Sequence, residues 1–84
     1  MDYSTLYSKR ILELCRERGY SVNYLASISD VKQSTVDNIV RNVTKNPGAR
    51  TLHKLALAFN MTLSEFRDFK ELNDYSFEEG EDDE

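Results

Sequence analysis

The stretch KQSTVDNIVRN, Lys32 to Asn42, has two sides of different chemistry. At 100° per residue Val36, Ile39, Val40 and the following Val43 fall within an arc of roughly 100°, the width of a stripe that faces a core. Opposite lie Ser34, Asp37, Asn38 and Arg41, with Gln33 flanking them in the first turn. This polar side is built from amides, a hydroxyl and one acid, not from Glu and Lys. Gln and Asn carry donor and acceptor in one planar amide and can bind adenine at two points; Ser serves either base type, and Asp can accept from the cytosine amino group. A merely solvated helix face can have the same composition, so the residue types by themselves leave both readings open.

The neighbouring segments narrow the choice. Just upstream, SVNYLASIS places Val22, Leu25, Ala26 and Ser29 on a short second face, with Ser21 in position to cap it. The two helices are separated only by the turn through SDVK, which is the helix-turn-helix plan. Before them, Ile11, Leu14 and Cys15 recur at helical spacing over residues 8–18, and Gly19 ends that helix. After them, TLHKLALAFN puts Leu52, Leu55, Ala56 and Phe59 on one side, with Asn60 as a left-handed cap. TLSE, Thr62 to Glu65, has the spacing of a capping box, so a fifth helix carrying Phe66 and Phe69 starts there. Strand patterning is limited to an ambiguous tract at DYSF, residues 74–77.

Composition sets the outer bounds. Eighty-four residues, 39% of them hydrophobic, suit one domain with a modest core. No apolar run is long enough to cross a bilayer and the first ten residues lack the pattern of a signal peptide, so the expected location is cytoplasmic, away from membranes. The single cysteine, Cys15, sits beside Leu14 and reads as a small packed hydrophobe. The net charge of −4 hides an asymmetry: residues 1–70 hold all eleven bases and seven acids, a net +4, whereas the last fourteen hold eight acids and no base. The expected organisation is a folded domain over residues 1–72 and an acidic, disordered tail over residues 73–84, a solubilising end or a handle for a protein partner.

Residues 9–69 resemble the Cro/C1-type helix-turn-helix domain of the lambda-repressor-like XRE family. The likeness rests on Ile11 and Leu14, Gly19 and Ser21, Leu25-Ala26, Val31, Ser34-Thr35-Val36, Ile39, Pro47 and the whole of TLHKLALAFNMTLSEF. It implies an all-α, five-helix bundle and a transcriptional regulator, a repressor, whose third helix lies in the DNA major groove. Carried over by position, Gln33, Ser34, Asp37 and Asn38 are the base-reading candidates. Ser21, Asn23, Lys32, Arg41 and Lys45 are the phosphate candidates, with Thr35 turned towards the backbone or neighbouring helices. Relatives commonly bind paired half-sites, which implies a homodimer on a near-palindromic duplex; Leu63, Phe66, Phe69 and Leu72 are the interface candidates, with ordinary core as the alternative.

The chain departs from the family pattern at instructive places. Val22 stands where many relatives have a phosphate-binding Gln, leaving Asn23 or Ser21 to compensate. Asp30 replaces the turn glycine and Lys32 the N-cap serine of the third helix. Cys15 and Val40 replace an Arg–Glu pair; losing both charges together avoids stranding one, which argues that the two positions still touch.

Other functions find less support. His53 is the only histidine and has no ligand-spaced Cys, Asp or Glu, so neither a metal nor another cofactor is expected and the chain does not read as an enzyme. The competing reading is a protein-interaction module on the same fold, antitoxin-like or a repressor-binding adaptor, favoured by the low body charge and the acid in the third helix.

Overall fold

The computed structural model describes residues 3–75, leaving aside the Tyr3 side chain. They form six helices: α1 (Tyr3–Arg18), α2 (Val22–Ser29), α3 (Gln33–Val40), α4 (Ala49–Ala58), α5 (Leu63–Arg67) and α6 (Lys70–Asn73). No strand occurs among the described residues. The acidic run beyond residue 75, including the end of the DYSF tract, lies outside them.

The helix starts follow local chemistry. Ser21 caps α2 by accepting the Tyr24 N–H, and Thr62 and Glu65 form the expected reciprocal capping box at α5. The ends share one device. Gly19, Asp30, Asn42 and Asn60 all have φ between 60° and 69°, the left-handed region that terminates a helix. After α4, the Met61 N–H reaches the Ala56 carbonyl and the Asn60 N–H reaches that of Leu57, each at 2.9 Å, which satisfies carbonyls that the helix leaves unpaired. Asp30 therefore does end α2 where relatives carry glycine.

The core joins Tyr7, Ile11, Leu14 and Cys15 of α1 to Leu25 and Ala26 of α2, Val36 and Ile39 of α3, Leu52, Leu55 and Ala56 of α4, Phe59, and Phe66 of α5. Through it runs a series of aromatic rings. Tyr20 stacks on Phe59 at 6.0 Å, Phe59 on Phe66 at 6.3 Å and Phe66 on Tyr7 at 6.1 Å; Tyr7 in turn meets Phe69 edge-on at 6.1 Å. Cys15 belongs to the core cluster and Val40 packs against it, so both positions of the missing ion pair contribute to one apolar region. Burial raises the Cys15 pKa, in keeping with a packed thiol.

Four expectations need correction. α1 begins at Tyr3, about a turn and a half before residue 8, because its buried face continues through Ser4, Tyr7 and Ser8, whose polar atoms mask the apolar pattern. Val43 is not part of the core-facing stripe: α3 has already ended, and Val43 is 56% exposed. The fifth helix divides into α5 and α6. Arg10 of α1 donates from Nε to the Phe66 carbonyl at 3.0 Å and from Nη2 to the Glu65 carbonyl at 3.2 Å. Those are the acceptors that the Phe69 and Lys70 N–H groups would need for the helix to continue. Phe69 becomes extended instead, and its ring lies 5.1 Å from the Arg10 guanidinium carbon. Finally, Phe66 is fully buried within the domain and is core, not interface.

Phe59 is fully buried and stacks between Tyr20 and Phe66. Phe59→Ala should cost about 3–5 kcal/mol, much of the roughly 5–15 kcal/mol that holds a domain together. Leu57→Ala, at a side chain 62% exposed, should change stability by less than about 1 kcal/mol. Urea midpoints of the two variants check this contrast.

Candidate nucleic-acid interface

α3 turns its inner face, Val36 and Ile39, into the core and leaves Gln33 and Ser34 exposed at its first turn. Asp37 and Asn38 follow on the polar side but are half-buried, and Thr35 is half-buried as well, consistent with a place against neighbouring structure. Arg41 is exposed at the far end of the helix and Lys45 is exposed beyond it, with Nζ 3.3 Å from the Asn42 carbonyl. Polar groups that can read bases thus lead the helix, and cations stand at its trailing end.

The start of α2 lies beside the start of α3. Gln33 Nε2 donates to Asn23 Oδ1 at 2.5 Å, bridging the turn between the two helices. Asn23, the neighbour of Val22, thus holds the Gln33 side chain from the side. The bond uses one acceptor of Asn23 and one donor of Gln33. A Gln or Asn amide has two donor hydrogens and an acceptor oxygen, so both residues keep capacity for a base edge or a phosphate. The Ser21 hydroxyl accepts from the Tyr24 N–H and retains its own donor hydrogen.

Lys32 is exposed and occupies the N-cap position of α3 without a side-chain cap, since an ammonium has no lone pair to accept a helix N–H. The α3 start is thus one helix beginning where a cation stands in place of the usual Ser, Thr, Asp or Asn. On the other side of the turn, Lys54 Nζ lies 3.5 Å from the Asp30 carbonyl. His53 is exposed, and among the described residues no cluster of His, Cys, Asp and Glu could hold a metal ion. No helix of the described residues is long and apolar enough to cross a membrane.

Of the nine site residues expected from sequence, the Asn23–Gln33 bond joins the start of α2, where Ser21 also lies, to the start of α3 with Lys32 and Ser34, while Asp37, Asn38, Arg41 and Lys45 follow along and beyond α3. Sequence reasoning missed Asn42. Its left-handed backbone closes α3, and its side chain bonds to α1. An Asn directly after a helix end was the available signal.

Two helices joined by the three residues Asp30, Val31 and Lys32, the second exposing a polar face while its other side is buried, define a helix-turn-helix domain. The chain belongs to the helix-turn-helix family of the Cro/C1 type, whose model matches residues 11–66. It is 40% identical to the HTH-type transcriptional regulator SlrR of Bacillus subtilis over 60 residues, 70% of this chain and 40% of SlrR. It is 29% identical to the HTH-type transcriptional regulator SinR of the same organism over 70 residues, 83% of this chain and 63% of SinR. The crystal structure of SinR, the master regulator for biofilm formation, in complex with DNA superposes with a TM-score of 0.67 at 29% identity, covering 74% of this chain and 98% of that one. The chain thus spans less than two thirds of the length of these regulators.

Lys32→Ser should stabilise the domain by about 1 kcal/mol, because the hydroxyl would supply the cap that α3 lacks. A higher urea midpoint with an unchanged slope checks it.

Proposed function

We propose that this domain binds double-stranded DNA in a sequence-specific way and serves as a transcriptional regulator of the repressor type in the cytoplasm. The observation that carries this reading is the Gln33–Asn23 hydrogen bond at the exposed start of α3. It pre-orients an amide able to make a two-point contact with adenine, on a helix whose inner face is locked in the core. Eight residues at about 1.5 Å rise make a helix about 12 Å long, comparable to the roughly 12 Å width of the major groove. Ser34, Asp37 and Asn38 follow Gln33 along the groove. Ser21 and Asn23 at the start of α2 with Lys32 at the start of α3, and Arg41 and Lys45 at the far end, then meet phosphates on its two sides and set register. The solved SinR–DNA complex, similar in fold and sequence, supports DNA as the partner.

One α3 spans only a few base pairs, so two copies on a near-palindromic site, with half-sites about 34 Å apart, give the length needed for selectivity. Repression then follows from occupancy: a bound dimer excludes the transcription machinery from the DNA it covers. A protein partner on this fold is the competing outcome, and it predicts no preference among duplexes.

Selection of bound sites from a random duplex pool tests the reading, followed by titration of the selected site and a random one at two salt concentrations. Gln33→Ala and Asn38→Ala should each weaken the selected site by about 1–3 kcal/mol and leave the random duplex nearly unchanged. Equal weakening on both duplexes would remove base reading from these residues. Arg41→Ala and Lys45→Ala should weaken both duplexes alike and make the salt dependence shallower by about one unit each.

A further inference from the structure

α3 ends unlike its neighbours. After the left-handed residues Gly19, Asp30 and Asn60, the next residues Tyr20, Val31 and Met61 pack against the core, the apolar contact that commonly accompanies such an end. After Asn42 the next residue is Val43, and it is exposed. Polar contacts with α1 replace the apolar one. Ser4 Oγ donates to Asn42 Oδ1 at 2.6 Å, Asn42 Nδ2 donates to Thr5 Oγ1 at 2.8 Å, and Ser8 Oγ donates to the Val40 carbonyl at 2.6 Å. Ser4 and Ser8 are buried and Thr5 and Asn42 half-buried, so these bonds are partly shielded from competing water.

The exchange has a mechanical meaning. Apolar contact is non-directional and tolerates sliding, whereas a hydrogen bond weakens steeply as its angle departs from linear. Asn42 is also a junction: its side chain binds α1, its N–H closes on the Ile39 carbonyl at 3.0 Å, and its carbonyl lies 3.3 Å from Lys45 Nζ. Arg41 is the residue immediately before it.

We propose that Asn42, with Ser4 and Thr5 of α1, is a positioning clasp for DNA binding: it fixes the direction in which Arg41 and Lys45 leave the end of α3 and so aligns the helix on the phosphate backbone. The clasp rests on the DNA-binding reading of α3. Its residues act through Arg41 and Lys45 and touch no base.

The test compares the full chain with Asn42→Gly, Thr5→Val and Thr5→Ser. Glycine keeps the left-handed backbone and removes the amide; valine removes the Thr5 hydroxyl at nearly constant shape, and serine retains it. Circular dichroism melts define a temperature at which each variant is folded, and affinities for the selected and random duplexes are measured there at 50 and 200 mM salt. Asn42→Gly and Thr5→Val should weaken both duplexes, and the ratio of wild-type to variant association constants should be larger at 50 mM by roughly 3.5-fold for each phosphate that the variant no longer neutralises. Thr5→Ser should bind as the wild type does. A purely structural clasp would lower the melting temperature and leave affinity and salt slope of the folded protein unchanged, and that result overturns the proposal, as does unfolding of both clasp-breaking variants. If the wild type itself binds no duplex, the failure lies with the DNA-binding reading instead.

Discussion

The third helix, α3, is held by Val36 and Ile39. An eight-residue helix makes just over two turns, well short of the ~12–15 residues at which an isolated helix begins to persist in water. α3 exists because those two side chains are buried against α1, α2 and the rest of the core. Burying side chains of this size contributes roughly 1.5–3 kcal/mol each, which helps to offset the cost of ordering a short segment whose leading residues Gln33 and Ser34 are exposed. A helix anchored in this way can devote its outer surface to amides, a hydroxyl and a carboxylate.

The same economy of length governs the rest of the fold. Four left-handed residues let four helices stop and turn within a few positions, and in three cases the following side chain returns to the core. Arg10 performs a comparable task by a polar route. Its guanidinium captures the Glu65 and Phe66 carbonyls, breaks the last helix in two and brings the Phe69 ring back over α1. One long α1 side chain thereby fastens the last two helices, while Ser4, Thr5 and Ser8 of the same helix fasten the end of α3.

The departures from the family pattern fit this picture. Where relatives carry a charged pair, Cys15 and Val40 add to the apolar core, and neither charge is left to be buried alone. Where relatives carry a glutamine at the start of the second helix, Val22 packs against the core and the neighbouring Asn23 holds Gln33. Lys32 leaves α3 without a side-chain cap and places an exposed cation at the turn.

Periodicity, caps and turn spacing determined a large part of this molecule from sequence alone. The apolar faces of α2 and α4, the Ser21 cap, the Thr62–Glu65 capping box, the left-handed Gly19 and Asn60, and the outward set of Gln33, Ser34 and Arg41 all depend on residues within about four positions of one another, the range over which a helix writes its own rules. What only the tertiary structure decided involves partners far apart in the chain. The early start of α1 depends on hydroxyls that look polar in sequence and are satisfied across 32 to 38 positions by Val40 and Asn42. The break between α5 and α6 depends on Arg10, 55 to 56 positions away. The orientation of Gln33 depends on Asn23, and the exposure of Val43 on a helix that ends one turn before its pattern does. Each is settled by which distant donor reaches which acceptor, and hydrophobic patterning carries no information about that choice.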